Sequence, residues 1–254
     1  MVVFAAGLRR SPIKGGEAGV KQWRIEAFND RVCMPAIRQR LIRVVSQALS
    51  AFTGPRIVYG WANADGSWCA HTRVSTHTCL EGLEGLKLGD HVFIGHFNRI
   101  DGSNGLLIEE GVQVTNYASI LSHSSHKSVR VMGRRYVNDP NPAGYVRKST
   151  RIGAYSFIGP HSVIAPGAQI GKGVIVQGYS FVSGVVPDFA IVGPQAHGRP
   201  AAVMGDTREI DRALLQRHPE LHALYAQWAG KDNLRRALNG HAAAPDAASD
   251  QEPA

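Results

Sequence analysis

The sequence is poor in cysteine and in long apolar runs, and both shortages narrow the class of protein. Its 254 residues include only three cysteines, Cys33, Cys69 and Cys79, which lie far apart and form no CxxC pair. This usage predicts reduced thiols. No apolar run approaches the ~20 residues that a membrane-spanning helix needs. Arg9 and Arg10 follow the first apolar stretch, whereas the positive charges of a signal peptide precede it. We therefore expect a cytoplasmic protein.

Negative charge and aromatic residues are also in short supply. Lysine and arginine number 28 against 20 aspartates and glutamates, which leaves a net charge of +8. Such a surface suits an anionic partner, for example a nucleotide, a nucleic acid or an acidic membrane. Because the arginines cluster without interleaved aromatics, we expect no nucleic-acid-binding module. Glycine and proline, at 28 and 13 residues, are abundant and predict a turn-dense β architecture.

A strict period of six organises the second half of the chain. An aliphatic residue occupies every sixth position at Ile152, Ile158, Ile164, Ile170, Val176 and Val182. Neither the period of a helix, 3.6, nor that of an ordinary strand, 2, produces this spacing. The pattern predicts a solenoid of short parallel strands in which each aliphatic side chain points inward. Each should stack on the one eighteen residues away.

The same period runs upstream, with one interruption. Leu88, Ile94 and Ile100 open three hexapeptides, and three more open at Ile108, Val114 and Ile120 after a two-residue slip. The predicted coils are residues 88–105, 108–125, 152–169 and 170–187, and a weaker turn with Val74 and Leu80 precedes them. Glycine often follows the aliphatic residue, and we expect it there to permit an unusual φ.

This hexapeptide pattern resembles that of the hexapeptide-repeat acyltransferases. The stretches 88–131 and 152–206 are similar to the sugar O-acetyltransferases of bacterial surface-polysaccharide clusters, those for O-antigen and capsule. The resemblance implies a left-handed parallel β-helix of triangular cross-section. It also implies acetyl-CoA as the donor, a homotrimer and no metal.

We predict a mainly β protein in four parts. They are an N-terminal mixed or helical segment at 1–69, the β-helix at 70–205, short C-terminal helices at 206–230 and a disordered tail at 231–254. Within the first part, the second half of residues 24–52 predicts a helix whose apolar face packs on the β-helix or, alternatively, rests on a membrane as a basic amphipathic helix. Asp206 and Glu209 have the spacing of a helix capping box, and Pro219 suits the start of a second helix.

Two histidines stand where the repeat stops. The register ends at Ser125 and resumes at Ile152, so an inserted loop at about 126–151 interrupts the solenoid. Such insertions are more often functional than accidental. Acetyl transfer to a hydroxyl needs a base, and an imidazole, with an ordinary pKa near 6.5, suits that role. By resemblance His126, at the mouth of the loop, is the expected base, and His123, within the last hexapeptide, is the alternate.

The resemblance also implies a donor site along the later coils. Gly178 and Ser183 should flank the pantetheine arm of acetyl-CoA. The stretch 198–203, GRPAAV, resembles a turn that the family places near the nucleotide. The basic residue expected in that turn is absent here, so Arg199 or Lys172 is the candidate for binding the CoA phosphates.

Three polar residues at predicted corners are candidates for the acceptor site. Asp101, Asn104 and Asn116 precede the histidines at repeat corners. Each could hydrogen-bond a sugar hydroxyl or orient the imidazole. Asn and Asp are also ordinary turn residues, so a purely structural role stays open.

The predicted activity is direct transfer of acetyl from acetyl-CoA to a hydroxyl of a sugar or of a lipid- or nucleotide-linked glycan. N-acetylation of an amino-sugar nucleotide is the alternative, disfavoured because residues 1–70 lack a glycine-rich strand–helix turn. Gamma-type carbonic anhydrases use the same solenoid with three zinc-binding histidines. Here His91 and His96 have a suitable spacing, but no third histidine lies at the expected distance upstream. A non-catalytic trimeric scaffold is the remaining alternative.

Overall fold

The aliphatic repeat builds short strands that a computed structural model resolves at nearly every predicted position. The structure describes residues 52–240 together with Leu41, Val44, Val45 and Leu49. The strands are β1 Ile57–Ala62, β2 Trp68–Ser75, β3 Cys79–Glu81, β4 Leu86–Leu88, β5 Phe93–Ile94, β6 Arg99–Asp101, β7 Leu106–Ile108, β8 Gln113–Val114, β9 Ser119–Ile120, β10 His123–Ser124, β11 Val146–Arg147, β12 Thr150–Ile152, β13 Phe157–Ile158, β14 Val163–Ile164, β15 Gln169–Ile170, β16 Ile175–Val176, β17 Phe181–Val182, β18 Val185–Val186, β19 Ala190–Gly193 and β20 Ala202–Asp206.

Successive strands turn through three sheets, so the chain coils as a triangular prism. Sheet A has the order β1-β2-β5-β8-β13-β16-β19-β20, sheet B the order β3-β6-β9-β14-β17 and sheet C the order β4-β7-β12-β15-β18. Neighbouring strands of successive coils are parallel, and antiparallel β1 and β20 lie at the two edges of sheet A. The predicted parallel β-helix is confirmed. We name its corners A–B, B–C and C–A after the sheets that meet there.

The inward aliphatic side chains form continuous columns, one for each sheet. Ile158 pairs with Val114 on one side and Val176 on the other, and all three are fully buried. The predicted spacing of eighteen residues holds here, between Ile158 and Val176. Upstream the spacing is twenty, as between Ile94 and Val114, because each coil there has two extra residues. Each fully buried aliphatic contributes about 1.5–3 kcal/mol, so these columns dominate the stability of the prism.

The glycines that follow the aliphatic residues serve close approach rather than an unusual φ. A Cβ on Gly153 would lie 2.5 Å from the carbonyl carbon of Gly171 in the next coil. Positive φ occurs instead three residues after the aliphatic, where Phe97, Tyr117 and His161 adopt it. The predicted reason for these glycines was therefore wrong. At Gly153 a side chain would collide with the neighbouring backbone, so a coil that carries a larger residue at the equivalent position must accommodate its side chain differently.

The C-terminal segment covers corner C–A. Its helices are α2 Thr207–Arg217, α3 His222–Ala229 and α4 Lys231–Asn239, after α1 Ser128–Met132 in the insertion; 3-10 turns lie at Leu83–Gly85, Gly133–Asn138, Ala196–Gly198 and Pro219–Leu221. Trp228 packs on Tyr155 and Phe189 of the prism, with ring centroids 4.8 and 5.7 Å apart. The Asp206 side chain accepts from the Arg208 N–H, so Asp206 is the predicted helix N-cap.

Two boundaries need correction or fall outside what is described. The predicted start of the disordered tail, residue 231, is too early, because α4 is helical to Asn239 and buries Ala237 completely. Most of the predicted helix at 24–52, its packing surface and residues 241–254 lie outside the described residues. The chain divides into compact units at 1–54 and 55–254. Across the part that is described, the helices are too short or too polar to cross a bilayer.

Candidate active site

The insertion opens at corner B–C, directly after strand β9. There the chain leaves the prism as β10, and it returns as β11, which pairs antiparallel with β10. His123 lies opposite Arg147 in this two-stranded ribbon, and Ser124 lies opposite Val146. The prism resumes with β12 at Thr150, two residues before the predicted restart. The insertion is therefore anchored at its base by the ribbon that contains His123.

His123 forms a close pair with a buried aspartate from the preceding coil. Its Nδ1 lies 2.6 Å from Oδ2 of Asp101. Asp101 occupies the slot after Ile100, in strand β6, and its side chain is fully buried, whereas a quarter of the His123 side chain is exposed. One end of the imidazole is thus fixed inside the protein while the ring is still accessible from outside.

Asp101 is held by hydrogen bonds that favour its ionised form. Its Oδ1 accepts from the Ser103 N–H at 3.0 Å, and its Oδ2 accepts from the N–H and the hydroxyl of Ser122 at 2.9 and 2.8 Å. Burial by itself raises the pKa of Asp101, but the hydrogen bonds from Ser103 and Ser122 outweigh burial and hold this pKa well below its usual range. Asp101 is a carboxylate at neutral pH.

This environment assigns the protons of the pair. An ionised carboxylate only accepts hydrogen bonds, so a neutral His123 must carry its proton on Nδ1 and donate it to Asp101. The lone pair is then on Nε2, the nitrogen that a general base uses. When Nε2 takes up a proton, the imidazolium lies against a negative charge. The pair therefore has the geometry and the electrostatics of a histidine base with an orienting carboxylate.

An aromatic ring and a guanidinium stack on the outer side of His123. The Tyr145 ring lies 5.8 Å from the His123 ring, nearly parallel to it at 8°. Arg147 belongs to the returning strand β11, and its guanidinium lies 4.5 Å from the centre of the Tyr145 ring. Alternate residues of a strand share a face, so the ribbon register presents Tyr145 and Arg147 together. The three side chains form one stack at the mouth of the site.

His126 has no comparable support. It is exposed, and its Nδ1 contacts the hydroxyl of Ser124 at 2.8 Å. Its backbone carbonyl accepts a hydrogen bond from Nη1 of Arg130 at 2.8 Å. His126 therefore lies at the mouth of the insertion, as predicted, but it has no buried carboxylate to orient its ring.

The predicted acceptor residues separate into two groups. Asp101 is buried and bonded to His123, so it takes the orienting role rather than contacting a sugar. Asn104 is at corner B–C, and its N–H donates to the Ser122 hydroxyl, so it borders the site. Asn116 is at corner A–B, where its Oδ1 accepts from the His96 N–H and joins two coils. Within one chain Asn116 does not meet His123.

The predicted donor residues are likewise spread over the prism. Ser183 is exposed at corner B–C, the corner of His123, whereas Gly178 lies at corner A–B across strand β17. Arg199 is exposed after the 3-10 turn at 196–198. Lys172 donates from Nζ to the carbonyl oxygens of Trp228 and Ala229, so it caps helix α3 instead of facing a phosphate.

Residues 149–184 match the family profile described as bacterial transferase hexapeptide (six repeats). The match covers part of the chain, the later coils of the prism. The solenoid is the left-handed parallel β-helix that the resemblance implies. A probable acetyltransferase of Mycobacterium tuberculosis is 24% identical over 217 residues, which make up 85% of this chain and 66% of that relative. The chain therefore spans just under two thirds of the length of this relative.

Two solved structures are similar to this chain. A hexapeptide-repeat-containing acetyltransferase from Vibrio cholerae has a TM-score of 0.41 and 23% identity, over 51% of this chain and 70% of that one. An N-acyltransferase from Bacillus cereus, solved in complex with dTDP and 3-hydroxybutyryl-CoA, has a TM-score of 0.42 and 15% identity. That match covers 61% of this chain and 88% of the other.

The histidines considered as zinc ligands, His91 and His96, do not converge in this structure. His96 is bonded through Nδ1 to the Ser75 hydroxyl at 2.7 Å, whereas His91 stacks on His71 at another corner. Within residues 52–240, the group close enough to hold a metal is His71, Asp90 and His91. The rings of His71 and His91 are parallel to within 1°, so their in-plane lone pairs do not point at one common position.

Two residues of the site were missed by sequence reasoning, whereas Asp101 was predicted either to contact a sugar hydroxyl or to orient the imidazole. Ser122 and Tyr145 follow no repeat rule, since Ser122 lies where the register is about to end and Tyr145 lies inside the insertion. Asp101 did carry a signal. It stands in the slot after an aliphatic residue, where the repeat otherwise favours glycine, twenty-two residues before His123.

Asp101→Asn should destabilise the protein at neutral pH by about 2 kcal/mol, because an amide NH₂ would face donors from Ser122 and His123. The folded-state pKa of Asp101 is below its unfolded value near 3.9, so its stabilisation is present above that value and is lost as the pH falls through the folded pKa. Urea unfolding should therefore show a gap between wild type and variant that narrows below about pH 4.

The matched control is Asp232→Asn, which removes a carboxylate whose side chain is 85% exposed and should change stability by less than about 0.5 kcal/mol. A gap for Asp101→Asn that stays constant from neutral to acidic pH would mean that its charge does not stabilise the fold.

Proposed function

We propose that this protein is a CoA-dependent acyltransferase that moves an acetyl group onto a sugar hydroxyl, with His123 as the general base. The observation that carries the proposal is the pair of His123 and the buried, ionised Asp101 at the corner where the solenoid opens. The description of the Mycobacterium tuberculosis relative as a probable acetyltransferase supports the reaction class. The resemblance to polysaccharide O-acetyltransferases supports a sugar hydroxyl as the acceptor.

In the proposed reaction the hydroxyl attacks the thioester directly. Nε2 of His123 takes the hydroxyl proton as the oxygen bonds to the carbonyl carbon, and Asp101 stabilises the imidazolium that forms. The tetrahedral intermediate then collapses with cleavage of the carbon–sulfur bond. The proton passes from His123 to the leaving thiolate, so CoA departs as the thiol and the base is regenerated. No covalent enzyme intermediate is needed.

The choice between the two histidines is testable by matched substitutions. We expect His123→Ala to lower kcat by about 10²–10⁴, because a general base contributes a factor of that size. We expect His126→Ala to change kcat by less than about threefold, since no carboxylate orients His126. The measurement is thiol release from acetyl-CoA in the presence of a panel of sugar acceptors.

If His126→Ala is inactive and His123→Ala is active, the base is His126, as the sequence predicted, and the assignment to His123 is wrong. Full turnover by both variants would refute the proposed function. Mass spectrometry of the product distinguishes an ester from an amide, and an amide would favour N-acetylation of an amino sugar instead.

A row of small residues at corner B–C suits a donor that leads away from His123. In the next coils the corner carries Ala165, Ser183 and Gly184. A Cβ on Gly184 would meet no atom within 4 Å, so the surface there is open. Successive coils rise by about 4.8 Å, so this row extends for roughly two coils beyond the base. We propose that the pantetheine arm of acetyl-CoA lies along it.

Ser183→Trp should weaken CoA binding at least about tenfold by blocking this row, since indole fills the space of the arm. His123→Ala should retain CoA binding, because His123 acts on the acceptor. Calorimetric titration of CoA into both variants is the measurement. Equal loss in the two variants, or no loss in Ser183→Trp, would place the donor elsewhere.

A homotrimer is also proposed. Exposed aromatic side chains form a stacked row along corner A–B, where Phe97, Tyr117 and Tyr179 are 46, 51 and 72% exposed and are linked through His161. Contiguous exposed apolar surface often marks an interface. Neighbouring prisms could also bring Gly178 of one subunit toward the donor of another. Sedimentation equilibrium should yield three times the chain mass, and a monomer at micromolar concentration would contradict the trimer.

A further inference from the structure

The insertion carries an excess of positive charge that its own carboxylates do not neutralise. Between residues 125 and 149 the cations are Lys127, Arg130, Arg134, Arg135, Arg147 and Lys148, and the one carboxylate is Asp139. Oδ1 of Asp139 accepts from the Asn141 N–H, in a local turn. Among residues 52–240, the ion pairs within 4 Å involve none of these six cations.

Arg147 is the cation with the most defined position. It lies opposite His123 in the ribbon, and its guanidinium stacks on Tyr145, which stacks on His123. These distances place the guanidinium within about 10 Å of the imidazole, comparable with the Debye length in physiological salt. Its Nη1 and Nη2 donate to Oδ1 of Asn141 and to the carbonyl of Pro140. The charge is oriented by neutral acceptors and is not cancelled.

Two further cations are tied to the same place. Nη1 of Arg130 donates to the carbonyl of His126, and the Lys148 N–H donates to the carbonyl of Ser122 at 3.0 Å. The aliphatic part of the Lys148 side chain lies over Gly167 of the next coil. Both residues are exposed. Arg130 and Lys148 therefore lie, like Arg147, at the base of the insertion.

The phosphates of CoA are a poor match for these charges. They are separated from the reacting sulfur by the whole pantetheine arm, so a thioester at His123 carries them far from the base. An acceptor, in contrast, places its hydroxyl at Nε2 of His123 and the rest of the molecule beside it. A cation next to the base is then in contact with the acceptor. Arginine in particular matches the geometry of phosphoryl oxygens.

We infer that the acceptor of this site bears a phosphoryl group, which Arg147 binds beside His123 with Arg130 and Lys148 contributing to the same positive surface. The inference rests on the proposed function and narrows its acceptor class. A phosphoryl group of this kind occurs in a nucleoside diphosphate sugar and in a lipid-phosphate-linked sugar. Exposed Val129 and Val131 lie in the same insertion, so a lipid-borne source must be tested along with a soluble one.

The test measures binding of two probes to the full-length protein, UDP and vesicles of phosphatidylcholine with phosphatidylglycerol. The variant Arg147→Gln/Lys148→Gln should bind UDP or the anionic vesicles at least tenfold more weakly than wild type. The variant Arg130→Gln/Lys148→Gln, which keeps the stack of Arg147 on Tyr145, should show a smaller loss in the same direction. The matched control is Arg217→Gln/Lys231→Gln, which removes the same net charge from exposed C-terminal positions and should bind the probe like wild type.

Loss of UDP binding confined to the insertion variants supports the inference with a nucleotide-linked acceptor. The same selective loss with vesicles alone supports it with a lipid-linked acceptor. Binding of neither probe by wild type, or equal losses in the control, overturns it. Titration with CoA distinguishes failure of this inference from failure of the proposed function. If the insertion variants lose affinity for CoA but not for UDP or vesicles, the inference fails and the proposed acyl transfer stands. The proposed function itself fails only if His123→Ala and His126→Ala both turn over normally.

Discussion

Stacking of aliphatic side chains along the axis of the prism is the constraint on which the rest of this protein depends. Each coil supplies one inward residue for each sheet, and its partner lies directly above it, as in Val114, Ile158 and Val176. The columns set the rise, and the rise brings the corners of adjacent coils close together. A Cβ at Gly153 would already collide with the next coil. The backbone at each corner is therefore rigid, which is a suitable base for a precise site.

The pair of His123 and Asp101 is a local departure from this repeat. Asp101 occupies a slot where several other coils carry glycine, and the neighbouring coil accommodates its carboxylate with the N–H and hydroxyl of Ser122. Those hydrogen bonds compensate the burial of a charge that would otherwise be costly. The same carboxylate then orients His123. Asp101, at a position that is glycine in several other coils, thus links two coils and the His123 side chain through one set of hydrogen bonds.

Charge is distributed unevenly around this network, with one buried anion inside and several cations outside. Asp101 lies beneath His123, whereas Arg147, Arg130 and Lys148 surround the mouth. The inner anion orients the imidazole, and the outer cations attract an anionic molecule from solvent. The Tyr145 ring contacts both His123 and the Arg147 guanidinium. In the proposed site a buried carboxylate orients the base and exposed cations bind the acceptor. The ion pairs among the described residues do not join these cations to Asp101.

The sequence by itself determined the solenoid, its strands and the place of the insertion, because a period of six in aliphatic residues is visible without any contact information. It also located both histidines at the end of the register. Only the tertiary structure distinguished them, since the partner of His123 lies twenty-two residues away in the preceding coil and spacing alone does not show which corner side chains meet. For the same reason the role of Tyr145 and the separation of Asn116 from the site depended on how the coils stack and how the insertion returns.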